Sequence, residues 1–192
     1  MLVAVKAMWG SKPSRDGRVS QPRRERLKRL ARSLDALALK DEVLLRKGRE
    51  IAALRCEAAL ELHSVCARFV RELNGLLARF ELEFQPAEYE AENFQEEGVN
   101  LFQINARGRI LQITFQAPPE LVSTEDFRVP YILAGAVRCF NQQLLEKELV
   151  EEQMLFYTLE RSRRMWRFFE GRTHRSGPFD AEYLISLMEQ LV

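Results

Sequence analysis

Two histidines, His63 and His174, and three cysteines, Cys56, Cys66 and Cys139, are the whole complement of side chains from which a thiol–imidazole or metal site could be built. Cys66 lies three residues after His63, so in a helix the two approach one another on one face. Nothing nearby in the sequence orients such a base, and no glycine-rich turn offers an oxyanion hole. The pattern contains no CxxC, HxxxH or HExxH spacing for a metal. The carboxylates Glu96-Glu97 and Glu151-Glu152 are adjacent pairs rather than the separated acids of a hydrolase, and Gly98 and Gly108 stand alone rather than in a phosphate-cradling loop. The expectation is therefore a protein that is not an enzyme, with no catalytic, cofactor-binding or metal residues and no cofactor.

Arginine is the residue type that clusters. Arg161, Arg163, Arg164, Arg167, Arg172 and Arg175 fall within fifteen residues, with Trp166 and Phe168 alternating around Arg167. Guanidinium groups interleaved with aromatic rings can neutralise phosphates and stack bases, which makes these six a candidate anion-binding set. Against that, two aromatics on one strand face ordinarily belong to a core. If a hairpin turns at 161–164, that turn and residues 172–175 lie at opposite ends of a sheet, so the six need not form one patch. A second basic feature is the N-terminal 32 residues, which hold ten Lys or Arg against Asp16 and Glu25. That segment is +8, and with a chain total of +1 the remainder is −7. Basic residues at a helix start oppose its dipole, so an anionic partner would make sense of Arg23-Arg-Glu-Arg-Leu-Lys-Arg29, and a solubilising arm is the alternative.

The elements that would position these residues come from the hydrophobic period. Residues 1–21 read as a flexible basic leader. From 22 to 80 the pattern is helical, with glycine only at Gly48 and Gly75. One heptad column runs Leu30, Leu37, Leu44, Ile51, Ala58, Val65, and a second runs Ala31, Ala38, Leu45, Ala52, Ala59, Cys66, Leu73, Phe80. A third begins at Leu27 and Leu34, turns polar at Asp41, Gly48 and Arg55, and resumes at Leu62, Phe69 and Leu76. The first two keep phase across Lys40-Asp41, which favours one long coiled-coil-like helix, or two nearly collinear ones, of roughly 80–90 Å at about 1.5 Å per residue. A helical hairpin broken near that point is the other arrangement. A stripe of that length needs a second helix, most simply that of another copy, so the first column is the expected homodimer interface.

Beyond Phe80 the period changes to two. Leu82–Phe84 reads as a short strand and 87–98 as an acidic loop. Residues 101–115 read as a hairpin turning at Arg107-Gly108, with Phe102, Ile104, Leu111, Ile113 and Phe115 on its core face. Gln103, Asn105, Gln112, Thr114 and Gln116 form a polar outer face that could receive a protein partner. Residues 131–145 read as a strand, 144–152 as either a short helix or a connection, and 154–159 with 165–169 as a second hairpin. The stretch 171–178 reads as a loop, and Asp180 as the N-cap of a final helix burying Leu184, Leu187, Met188 and Leu191.

The expected architecture is α+β: the long amphipathic helix, then a domain at 81–192 holding a mostly antiparallel sheet of five to six strands with the last helix packed on one face. Three sparse cysteines suggest reduced thiols and a cytoplasmic setting, and no stretch approaches a membrane span. The functional expectation is a homodimeric interaction or scaffold protein. A nucleic-acid- or anion-binding protein using the basic arm and the arginines comes next, and an enzyme of a type without a visible motif comes last.

Overall fold

A computed structural model describes residues 21–118, 129–140, 151–160 and 163–191. Residues 1–20 of the leader, most of the loop after Pro118, residues 141–150, which hold most of the ambiguous stretch 144–152, and Arg161 lie outside the described residues.

Helix α1 runs without interruption over Gln21–Asn74. The chain separates into two compact units at Arg46/Lys47, inside this helix. In the first unit the described residues are all helical, and every side chain from Arg23 to Arg46 is exposed. The second unit therefore takes in the helix from Lys47, well before residue 81. Periodicity carries the helical pattern to Phe80, but the helix stops six residues earlier. The Asn74 side chain captures both backbone groups of Leu82, accepting from its N–H at 2.7 Å and donating to its carbonyl at 3.1 Å, which turns the chain toward the sheet.

Seven strands follow among the described residues: β1 Glu83–Gln85, β2 Asn100–Ala106, β3 Arg109–Gln116, β4 Tyr131–Phe140, β5 Glu151–Glu160, β6 Arg163–Glu170 and β7 Arg175–Pro178. They form one antiparallel meander in which each strand pairs with its sequence neighbours, in the order β1 to β7. Helix α2, Ala181–Glu189, closes the unit. The count is seven rather than five to six. The additional strand is β7, whose Arg-Ser-Gly-Pro sequence carries turn-forming residues. Proline cannot donate to a ladder, but a sheet edge has no ladder on its outer side, so Pro178 is tolerated there.

Strand alternation decides the layers. The core face carries Phe102, Ile104, Leu111 and Ile113, all fully buried, and Phe115 at 1% exposure, as the two-residue period requires. Ala58, Leu62, Cys66 and Phe69 of α1 and Leu184, Leu187, Met188 and Leu191 at the C-terminal end pack in the same cluster. Polar ties fix α1 to the sheet. Trp166 donates its indole N–H to the Ala58 carbonyl at 2.7 Å, and the Tyr157 hydroxyl donates to Glu61 at 3.2 Å. Asp180 caps α2 as expected, accepting from the Tyr183 N–H at 3.1 Å.

Two glycines are demanded by geometry. The β2–β3 turn places Arg107 at φ 54° and Gly108 at φ 87°, the left-handed pair of a two-residue hairpin. The Asn105 side chain accepts from the Gly108 N–H at 2.8 Å and fixes the turn. Gly135 in β4 lies against β3, where a β-carbon would collide with the Thr114 carbonyl oxygen and come within 2.8 Å of the Phe115 Cα. Both obstacles are backbone and cannot rotate away. Gly135→Ala should therefore cost about 1–3 kcal/mol through forced strand displacement. Urea unfolding reads this directly, and an unchanged midpoint would show that β3 and β4 part freely.

Candidate functional site

Residue by residue, the first helical column divides in two. Leu30, Leu37 and Leu44 are 55%, 54% and 65% exposed, with Leu27 and Leu34 beside them at 52% and 56%. Ile51 and Val65 are half-buried against the core of the second unit, and Ala58 lies fully inside it. Of the six residues read as a dimer interface, Ala58 is thus consumed by the chain's own sheet, because the core of the second unit covers α1 only from Ile51 onward. The exposed stripe is confined to 27–45, where Leu39, Val43 and Leu45 add to it.

The five of these arginines that are described do not form one patch. The eight residues of β6 span roughly 25 Å. Arg163 and Arg164 stand at its start, and Arg172 and Arg175 beyond its end. Alternation then separates the first pair. Arg163 and Arg167 share the outer face with Phe169, whereas Arg164 points to the side of Trp166 and Phe168. Arg167 is half-buried and donates through Nε to the Ser176 hydroxyl at 3.4 Å, and Arg175 lies 5.9 Å from the centre of the Phe168 ring. Trp166 and Phe168, at 2% and 6% exposure, are core residues and cannot stack a base. Arg161 is outside the described residues.

The thiol–imidazole pair is likewise constrained. Cys66 is fully buried, and burial pushes its thiol up to about 12, far from a usable thiolate. His63 holds the Pro86 carbonyl through Nε2 at 2.9 Å, which makes that nitrogen the protonated one. Its ring packs among Phe84, Tyr89 and Phe102 at centroid distances of 4.9, 5.5 and 5.4 Å. This is a histidine that anchors the 86–99 loop onto α1. Among the described residues, no three or more His, Cys, Asp or Glu side chains gather in a metal-holding group.

The polar outer face is limited to β2 and β3. Gln103, Asn105, Gln112 and Thr114 are half-buried and Gln116 is exposed. Toward β4–β6 the same face becomes apolar, where Tyr131, Phe156 and Phe169 form a second small buried cluster. Tyr131 and Phe156 lie with ring centres 4.6 Å apart.

Two features escaped the sequence reading. Arg55, which interrupts the third helical column, is held inside the second unit. It donates through Nε to the Ile132 carbonyl at 3.0 Å, through Nη2 to the Pro118 carbonyl at 2.8 Å, and through Nη1 to Glu96. A charge inside an apolar column is the signal that could have found it. The other is an apolar cavity of about 630 Å³ beside the C-terminal end of α1, floored by Phe69, Leu82, Ala106 and Met188. No periodicity points to it, because its walls come from four separate elements.

No protein-family model, curated protein or solved structure matches this chain. Any functional reading rests on its own geometry. No helix among the described residues is long and apolar enough to cross a membrane.

Proposed function

We propose that this is a non-enzymatic interaction protein that self-associates through residues 27–45 of α1 and presents its α+β unit as a binding module. The observation that carries this reading is the exposure of Leu27, Leu30, Leu34, Leu37 and Leu44, each above half of its free surface. Their spacings of three and four, continued through 37–44 by seven, make a coiled-coil seam, with Ala31, Ala38 and Leu45 widening it. Five such leucines on one unpartnered stripe are a recognition surface rather than the scattered exposure of ordinary surface residues. Sedimentation velocity at micromolar concentration tests the reading. A dimer or higher assembly is expected, and a monomer overturns it.

A second reading, anion binding, has an observation of its own. The six basic residues between Arg23 and Arg32 are all exposed. Lys28 is held by Glu25 at 3.0 Å, and the other five meet no carboxylate among the described residues. The protein should be retained on immobilised single-stranded DNA at low salt and released steeply as salt rises, because each phosphate contact displaces counterions. Replacing Arg23, Arg24 and Arg26 by Ala should abolish retention, while replacing Arg163 and Arg164 should leave most of it. Absence of retention at low salt removes this reading and leaves the first untouched.

A further inference from the structure

We propose that the apolar cavity beside the end of α1 is a binding site for the hydrocarbon tail of a free long-chain carboxylate, with Arg107 meeting the head group. At about 630 Å³ the cavity is of the size that holds small molecules, roughly 300–1,000 Å³. Its floor is built from side chains that are already buried: Phe69 at 5%, Leu82 at 6%, Ala106 and Met188 at 7%. It is therefore a recess in the core and not a flat apolar patch. Phe80 and Ile185 stand at its lip, 37% and 42% exposed. Glu189 is the single polar residue in its wall. With Glu189 its one polar side chain among the described residues, the recess offers too few hydrogen-bond partners to hold ordered water, so an occupant must be apolar along the part that enters.

Charge at the mouth specifies the rest of the ligand. The β2–β3 turn, fixed by the Asn105–Gly108 hydrogen bond, holds the Arg107 guanidinium 5.8 Å from the centre of the Phe80 ring. A cation over the lip aromatic is placed where a tail entering past Phe80 would leave its head. Arg109 adds a second positive charge across the hairpin from Ala106, donating through Nε to the Leu191 carbonyl at 2.9 Å. Among the described residues neither guanidinium meets a carboxylate. The Glu83 carboxylate is engaged by the Asn105 amide at 3.2 Å, so the Arg107 charge set over the lip favours an anionic head, and Glu189 on α2 confines that head to the hairpin side.

Calorimetric titration of the full chain with sodium dodecanoate, below its micelle concentration, tests the proposal. One equivalent should bind with a negative heat-capacity change, the mark of apolar burial. Dodecanol should bind about tenfold more weakly, and Arg107→Ala should erase that preference by weakening dodecanoate alone. Glu189→Gln should tighten dodecanoate, since it removes a repelling charge. Ile185→Trp fills the mouth from an exposed position and should abolish binding of both ligands with the thermal midpoint preserved. Phe80→Ala removes an apolar contact at the lip and should weaken both. Lack of binding by the wild type overturns the proposal. So does binding that Ile185→Trp and Phe80→Ala leave intact, or equal affinity for the acid and the alcohol. An Ile185→Trp variant that changes oligomeric state instead would assign the recess to a second copy, and would equally overturn it. None of these outcomes depends on the α1 stripe, which is tested separately by sedimentation.

Discussion

Replacing Leu37 and Leu44 together by glutamate should convert the protein to a monomer at micromolar concentration while leaving the sheet unit folded. Both side chains are more than half exposed within one chain, so their burial in an assembly is entirely available to stabilise that assembly. Burying a leucine contributes about 1.5–3 kcal/mol, and a dimer buries four copies of these two positions, on the order of 6–12 kcal/mol in total. Glutamates in the same seam would also face one another as like charges. The expected loss is comparable with the whole binding free energy of a micromolar dimer, about 8 kcal/mol. Sedimentation velocity reads the outcome, and circular dichroism melting checks the fold. Ala58→Glu is the contrasting variant: Ala58 is fully buried among the sheet's own side chains and its carbonyl accepts from Trp166. A charge there should unfold the second unit rather than dissociate an assembly. A double variant that still sediments with the wild type would exclude the 27–45 stripe as the interface.

Arg55→Met should destabilise the second unit by about 3 kcal/mol. The substitution keeps an unbranched apolar stem and removes the guanidinium. The Arg55 side chain is 14% exposed, and its Glu96 partner is 40% exposed, so the ion pair itself contributes little after solvent screening. The larger share comes from the carbonyls of Ile132 and Pro118, which lose a charged donor. Hydrogen bonds to a charged group are worth about 1.5–3 kcal/mol each, and a buried acceptor left unpaired costs on the same scale. Glu96→Gln keeps an acceptor and should cost under about 1 kcal/mol. Urea titration gives both numbers from midpoints at constant slope. Equal losses for the two variants would show that the ion pair dominates, and a loss below about 0.5 kcal/mol for Arg55→Met would dismiss the staple.

What the sequence determined by itself is what depends on local period and local chemistry. Alternation in 101–115 was enough to name Phe102, Ile104, Leu111, Ile113 and Phe115 as a core face, because a strand repeats every two residues whatever surrounds it. Arg107-Gly108 marked its turn, and Asp180 with Leu184, Leu187 and Met188 marked the last helix, since a cap and a spacing of three and four are written within one turn. Heptad phase across Lys40-Asp41 likewise carried α1 through as one helix.

Tertiary structure alone decided which neighbours those elements meet. The same column supplies exposed Leu37 and buried Ala58, since a heptad records that a residue is apolar but not whether a sheet or a second helix covers it. Arg55 interrupts its column as a charge, and only the approach of Ile132 and Pro118, more than sixty residues away in sequence, makes it a clamp. Of six arginines close in sequence, the five described are parted by the length of β6 and by its two faces, because a strand separates chemically equivalent neighbours every second residue. The apolar recess is a space between α1, the 75–82 connection, β2 and α2, and a space has no residue to announce it in the sequence.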